Sequence, residues 1–393
     1  MGGLPNVAII VPTFQRPAHL ERTLASLDAQ EDCPRFEVIV ADDGSSDETE
    51  EIVRRHAATA SYRVAWVTHP HDGFQLAKCR NEGVAASRAE YLVFVDGDCI
   101  LPPVFVREHW RRRQKGVVLT GDVVRLPQPQ SERVTASAIR DRQWMSVVPR
   151  SEYRRLRWAY AKGIFYRLTR HRKKPRLFGG ANSMHRCDYE KVNGYDENFR
   201  GWGMEDDDLR ERLVRSGVRI HCTPPHLAPV HLWHPPSDTT PTQWWQGANI
   251  DYYLRRGKLT RCVRGLTKRQ RKDIHVRLRG WVSDQVRRRV LPEGYDYVPA
   301  DVASHVDVEI ALFPAVPPHR RGADCRILVM LVPASVAPSS LAVDADHVVM
   351  PPSDHTALRS WDVRRELAAI LDTACGFRTR DGADTGKLTE RAA

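Results

Sequence analysis

No stretch of this sequence approaches the roughly 20 consecutive apolar residues that a bilayer-crossing helix needs, which argues against a membrane-spanning helix. The eight cysteines, at 33, 79, 99, 187, 222, 262, 325 and 375, show neither the paired spacing of a zinc site nor a disulfide framework, and so point to reduced thiols. Internal repeats and low-complexity tracts are missing. The first residues carry no basic leader and no small-residue cleavage site of the secretory kind. These absences set the expectation of a cytoplasmic protein, soluble or peripheral to a membrane.

What is present is a chain of 393 residues, 41% apolar, long enough for more than one core. The formal net charge of +11 is unevenly spread. Residues 107–176 hold 20 Lys/Arg against 5 Asp/Glu, and residues 255–290 hold 14 against 2. The remainder is acidic. Two basic blocks on an acidic protein imply a polyanionic neighbour, an anionic membrane surface, a charged glycan or nucleic acid, unless they are simply solvated faces.

Through the first hundred residues apolar runs alternate with helical spacing. Strands are expected at 7–11, 36–41, 62–67 and 91–95, and helices at 17–30, 47–58 and 75–86. Strands that are apolar nearly throughout belong to a parallel sheet covered on both faces. Such sheets collect ligands at the carboxyl ends of their strands. Thr13-Phe14-Gln15-Arg16, Asp42-Asp43-Gly44-Ser45 and Asp96-Gly97-Asp98 all fall at that edge. From 107 to 176 the pattern reads as helical, basic and irregular, until Gly179-Gly180 suggests backbone packed against a ligand. Helices are expected around the acidic cluster of 205–208, at 242–256 and at 268–290, the last exposed and basic. Beyond 295, strands at 306–313, 326–332 and 347–350 and a helix at 361–375 describe a small appendage of the α+β kind.

Asp96 and Asp98 stand two apart at a strand end, where a turn at Gly97 can aim both into one cleft. Hard carboxylate oxygens suit Mg2+ or Mn2+, and a divalent ion would stabilise a departing diphosphate. His231 and His234 offer imidazole nitrogens that would extend such a shell toward Mn2+, although His-x-x-His is also common in structural roles. Glu205, Asp206, Asp207 and Asp208 begin a helical pattern after Gly201-Trp202-Gly203. Acids there complement a helix dipole, but capping needs no aromatic between two glycines. Crowded carboxylates raise one another's proton affinity, which readies one of them to take a proton from a hydroxyl, and Trp202 offers a face for a sugar ring. Asp42 and Asp43 suit a uracil or ribose group, or a plain turn. Arg16, Lys78 and Arg80 suit phosphate oxygens.

The ordered set Val11-Pro12-Thr13-Phe14-Gln15-Arg16, Val40-Ala41-Asp42-Asp43-Gly44-Ser45, Ala77-Lys78-Cys79-Arg80-Asn81-Glu82-Gly83, Asp96-Gly97-Asp98 and Gly201-Trp202-Gly203-Met204-Glu205-Asp206 resembles glycosyltransferase family 2. The stretch from Phe178-Gly179-Gly180 to His231-Leu232-Trp233-His234 resembles the galactosyltransferase module of chondroitin-polymerase and β-1,4-galactosyltransferase type enzymes. Residues 5–236 carry the likeness. It implies a GT-A nucleotide-sugar fold over 1–264, with a donor half near 5–120, an acceptor half near 177–256 and a basic helical insertion at 107–176. Residues 265–393 are then a C-terminal basic helix and appendage.

The resemblance also implies an inverting transferase, dependent on Mn2+ or Mg2+, with a UDP-sugar donor of galactose type and a glycan or lipid-linked acceptor. Asp98 and a downstream histidine would hold the metal, His234 at the more dependable position and His231 at the more variable one. Asp206 would be the general base, and Glu205, Asp207 and Trp202 would position the sugars. Pro12, Thr13, Phe14, Arg16, Asp42, Asp43, Lys78, Arg80, Asp96, Gly179 and Gly180 would surround the donor. Met204 departs from the smaller residue those galactosyltransferases often carry. Two alternatives share the scaffold: a transferase acting on nucleic acid, and a non-catalytic nucleotide-sugar or nucleic-acid-binding protein.

Overall fold

The structure, a computed structural model, describes residues 4–171, 174–255, 259–279, 288, 290–298, 306–312, 325–331, 347–349 and 362–377. The chain divides into one unit of Met1–Leu254 with Thr260–Lys268 and a second of Arg255–Leu259 with Arg269–Ala393.

The first unit opens with β1 (Val7–Thr13), α1 (Pro17–Asp28), β2 (Phe36–Asp42), α2 (Thr49–Ala57), β3 (Arg63–Thr68), α3 (Leu76–Ala86) and β4 (Tyr91–Phe94). All seven residues of β1 are buried. Because side chains alternate across a strand, Val7, Ile9 and Val11 join one core with Leu20 and Leu24 of α1. Ala8 and Ile10 join the other, with Ala77 and Val84 of α3. Each large aliphatic side chain so buried contributes about 1.5–3 kcal/mol. β1 pairs parallel with β2 and with β4, and β2 with β3, so the carboxyl ends of these strands share one edge.

After β4 come β5 (Cys99–Ile100), α4 (Phe105–Arg112), β6 (Val117–Thr120), β7 (Val124–Arg125), α5 (Gln128–Glu132), α6 (Ala136–Arg140) and α7 (Arg150–Leu168). The unit continues through β8 (Asn182–His185), α8 (Arg186–Lys191), α9 (Glu205–Arg215), β9 (Arg219–Cys222), β10 (Val230–His231) and α10 (Ile250–Arg255). The main sheet has the order β3-β2-β1-β4-β8-β6-β9. The stretch expected as a helical insertion from 107 therefore contributes β6 to the main sheet: Val117-Val118-Leu119-Thr120 is a short apolar run among charged residues, and all four are buried.

β8 lies antiparallel between β4 and β6 although three of its four residues are polar. Two of them find partners inside: Ser183 Oγ lies 2.7 Å from both the Tyr91 hydroxyl and His109 Nδ1, and Asn182 Nδ2 donates to Phe178 O at 3.1 Å. A strand satisfied in this way has no apolar signature.

The second unit contains β11 (His275–Arg279), β12 (Asp296–Val298), β13 (Val306–Leu312), β14 (Cys325–Leu331), β15 (His347–Val349) and α11 (Val363–Cys375). Its strand order is β12-β11-β13-β14-β15, with every pairing parallel. Two expectations are corrected here. The appendage has a parallel sheet rather than an α+β arrangement, and the basic helix expected over 268–290 contains a sheet strand at 275–279. Of that helix, 280–287 and 289 fall outside the described residues. Arg277 is buried in β11 because Glu309 of β13 accepts from its guanidinium at 2.8 and 3.1 Å. Arg269 likewise meets Asp307 at 2.7 Å. Among the described residues, no helix is long and apolar enough to cross a membrane.

Candidate active site

A cleft of about 690 Å³ opens at the carboxyl edge of the parallel strands. Pro12, Thr13, Phe14, Arg16, Asp43, Arg80, Asp96, Asp98, Gly179, Gly180, Trp202, Glu205, Asp206, His231 and His234 all line it. The carboxylates at 96 and 98 and those at 205 and 206, far apart in the chain, thus share one cavity.

The first wall is built by a short ladder. β10 pairs antiparallel with β5 so that His231 faces Cys99, and Leu232 N donates to Asp98 O at 2.9 Å. This pairing carries His231 and His234 to the carboxylate. His234 Nε2 lies 3.1 Å from Asp98 Oδ2, and His231 Nε2 lies 3.5 Å from Oδ1. Arg16 Nη1 donates to Oδ2 at 3.0 Å. Burial pushes the Asp98 carboxyl up, but the His234 hydrogen bond and the nearby His231, His234 and Arg16 charges outweigh it and hold the group well below the usual carboxylate range. The same Asp98 hydrogen bond, opposed by burial, raises His234. One hard oxygen and two imidazole nitrogens, all within 4.8 Å of one another, form a donor set that suits Mn2+ better than the all-oxygen preference of Mg2+.

The second wall begins at the turn Gly201-Trp202-Gly203-Met204. Gly201 and Gly203 have φ of +81° and +98°, and Met204, the N-cap of α9, has φ of +74°. A methionine in that region costs about 1–3 kcal/mol. The buried Asn249 side chain holds the turn, donating to Gly203 O at 2.9 Å and Gly201 O at 3.2 Å. Trp202 stands half exposed at the cleft.

Behind the turn, Asp206 Oδ1 accepts from Tyr195 OH at 2.8 Å and from Arg80 Nη1 at 3.1 Å, which leaves Oδ2 toward Gly179. A Cβ on Gly179 would lie 2.6 Å from that oxygen and collide with the Arg80 guanidinium. On Gly180 it would lie 3.0 Å from Asp96 Oδ2. The glycine pair therefore makes room for the carboxylates. Burial raises the Asp206 carboxyl, against the opposing Arg80 charge and Tyr195 hydrogen bond.

Glu205 is buried beside it, with no partner for Oε2 among the described residues. Burial first, and the Asp206 charge second, push its carboxyl up to about 8. Near neutral pH Glu205 keeps its proton beside Asp206, whose own proton affinity burial also raises. The unfolded chain releases the Glu205 proton near 4.5 and the folded chain near 8, so the native state binds more protons in that window and loses stability as pH rises through it. Glu205→Gln, which cannot ionise, removes this loss. Its unfolding free energy relative to wild type is expected to climb between pH 5 and 8, by up to about 1.4 kcal/mol per pH unit, as read by denaturant unfolding. A difference that stays flat with pH would mean that Glu205 is already ionised.

Several expected site residues are engaged by protein partners or lie outside the cleft. Arg80, expected on phosphate, is 1% exposed and spans two carboxylates, reaching Asp96 at 2.9 Å and Asp206 at 3.1 Å. Asp42 closes its own turn, accepting from Ser45 N at 2.9 Å and Thr68 Oγ1 at 2.8 Å. Lys78 and Asp207 do not line the cleft; the Lys78 ammonium lies 3.9 Å from Glu82. Asp43 does line it and is oriented from behind. Its Oδ2 accepts from Gln75 N at 2.9 Å, and Oδ1 lies 2.9 Å from His69 Nε2. Asp43, His69 and Cys79 also cluster tightly enough to suggest a second metal site. His69, however, has its other nitrogen 2.7 Å from Glu82, leaving neither free, and burial pushes the Cys79 thiol up. Phe14 stacks on His71 with centroids 4.2 Å apart.

Tyr195, Asn249, His69 and the role of Asn81 join the site only through the fold. Asn81 Oδ1 accepts from Tyr189 OH at 2.6 Å and Tyr195 N at 3.0 Å, and its Nδ2 donates to Tyr195 O at 2.9 Å. It fixes the tyrosine that holds Asp206. Its place beside Arg80 in the third β/α step is the available signal.

A mostly parallel sheet with this cleft at its carboxyl edge defines a GT-A glycosyltransferase scaffold. Residues 8–181 match the glycosyl transferase family 2 model, and residues 163–234 match that of the N-terminal domain of galactosyltransferase. Residues 8–181 thus carry a glycosyl transferase family 2 domain, followed by a galactosyltransferase-like one. It is 30% identical over 224 residues to a validoxylamine A glucosyltransferase of Streptomyces hygroscopicus subsp. limoneus, covering 55% of this chain and 49% of that one. It is 25% identical over 274 residues to a chondroitin synthase of Escherichia coli, covering 65% and 39%. The matches thus span about half or less of these relatives' lengths. Among solved structures, a mannosyltransferase from Pyrobaculum calidifontis in complex with GDP-Man and Mn2+ aligns over 62% of this chain and 59% of its own, at 20% identity and a TM-score of 0.41.

Proposed function

We propose that the protein is an inverting, metal-dependent glycosyltransferase that moves a hexose or N-acetylhexosamine from a UDP-sugar to an acceptor hydroxyl on a glycan or lipid-linked glycan. What supports this most is one cleft lined both by the Asp98, His231 and His234 donor set and by Asp206, whose Oδ1 is held by Tyr195 and Arg80. When bound, a divalent ion supplies the positive charge that a departing diphosphate requires, and Asp98, His231 and His234 would hold it. Asp206 Oδ2 takes the proton from the acceptor hydroxyl as that oxygen attacks the anomeric carbon. A single in-line displacement of this kind needs no covalent nucleophile and inverts the anomeric centre. Trp202 provides the apolar platform for a sugar ring, and Asp43 meets the donor's base or ribose. The galactosyltransferase-like second half favours a galactose-type donor, whereas the validoxylamine relative is named for glucose; the donor screen covers both.

The test is thermal stabilisation by UDP-galactose, UDP-N-acetylgalactosamine, UDP-glucose and UDP-N-acetylglucosamine, each with and without Mn2+, followed by radiolabelled transfer. A ligand at 100 times its dissociation constant adds about 2.7 kcal/mol. In Asp98→Ala the Mn2+-dependent part of that gain is expected to vanish. If Mn2+ stabilises the variant as well as the wild type, the metal lies elsewhere.

A further inference from the structure

We infer that the outer face of α7 docks the protein on an anionic lipid bilayer. α7 already has a buried inner side. Leu156 is in the core, and a Cβ at Gly163 would collide with Cys222 Sγ, so the helix lies close against β9. A helix anchored in this way has no need of large apolar groups outside. Nevertheless Trp158, Phe165 and Leu168 are 71%, 61% and 72% exposed. With Arg154 and Ala161 they fall at i, i+4, i+7, i+11 and i+14, which is one stripe of an α-helix.

Cations border this stripe. Residues 150–170 hold seven Arg/Lys and one acid, Glu152, and Glu152 is taken by Arg155 at 2.9 Å. Arg150, Arg154, Arg157 and Lys162 stand on or beside the apolar stripe without a carboxylate partner among the described residues. The other basic block differs, since Lys268, Arg269, Arg271 and Arg277 each meet an internal carboxylate.

The partner must therefore supply negative charge and an apolar medium on the same surface. A second copy would set these cations against each other. Nucleic acid would satisfy the cations and stack on Trp158, but would offer nothing to the aliphatic Leu168. An anionic bilayer meets both demands, with Trp, Phe and Leu entering the headgroup and acyl boundary and the arginines and lysine remaining among the lipid phosphates.

The test is co-sedimentation of the full chain with vesicles of phosphatidylcholine alone and with vesicles also carrying phosphatidylglycerol. Binding is expected only to the second, and to weaken with added salt. R154Q/R157Q/K162Q should weaken it by roughly fivefold per removed cation, about 100-fold in all. W158A/F165A/L168S should weaken it by at least about tenfold. None of these residues lines the cleft, so melting temperature and transfer to a soluble acceptor should match wild type. Failure to bind phosphatidylglycerol vesicles, or equal binding by both triple variants, overturns the proposal. So does loss of self-association or of RNA binding in the variants without loss of vesicle binding, which would assign the face to that partner.

Discussion

Asp206→Asn is expected to lower sugar transfer by roughly 10²–10⁴-fold while leaving nucleotide-sugar binding intact, because it removes the general base and little else. Asparagine can keep the Tyr195 hydrogen bond through its carbonyl oxygen, but whichever way the amide turns, it presents no basic oxygen at the position of Oδ2. The loss should fall on kcat rather than KM, since proton removal is completed only as the new bond forms. Asp206 sits where burial has raised its proton affinity, opposed by Arg80 and Tyr195. Wild-type turnover should therefore rise with pH as the carboxyl ionises, along an acid limb displaced upward from an ordinary aspartate's, and the variant should lose that limb. Steady-state kinetics from pH 5 to 9, paired with Mn2+-dependent UDP-sugar binding, separate the two effects. A variant with a wild-type kcat would remove Asp206 from the proton transfer and leave Asp96 as the carboxylate to examine.

The donor-side scaffold was legible because its strands announce themselves. Val7–Thr13 and Phe36–Asp42 are apolar and β-branched, and the turns after them carry the polar clusters that reach the cleft. The elements that escaped are those whose burial rests on pairing instead of apolarity. β8 is polar in sequence, yet its groups pair inside the sheet. β11 hides in a basic block because Arg277 is compensated by Glu309 some thirty residues later. The candidate site divides in the same way. The residue types at 98, 206, 231 and 234 carried chemical meaning locally, but the β5–β10 ladder that gathers three of them is tertiary. The contacts of Asn81, Tyr195 and Asn249 span from 11 to 114 positions along the chain, a range at which a single sequence carries no pairing signal.

Arg80 shows what such long-range pairing does for the site. Arg80→Met is expected to destabilise the protein by about 3–5 kcal/mol, since it removes the buried cation that meets both Asp96 and Asp206 and leaves both carboxylates without it beside Glu205. The guanidinium also lies 4.9 Å from the Tyr195 ring centroid, so the tyrosine that orients Asp206 loses its packing neighbour. Burial alone would lower the proton affinity of Arg80; Tyr195, Asp206, Asp96 and Glu205 outweigh it, and the group stays charged throughout the working range. Without that charge the Asp206 carboxyl climbs further, and the acid limb of the pH–rate profile moves up with it. Arg80→Lys distinguishes charge from geometry: an ammonium restores positive charge but cannot fork to both carboxylates as a guanidinium does, so it should recover part of the stability and little of the pH profile. Chemical denaturation and pH–rate curves on the two variants are the measurements. A methionine variant as stable as wild type with an unshifted acid limb would show that Asp96 and Asp206 tolerate each other unaided, and Arg80 would then be available for the phosphate role suggested by its sequence position.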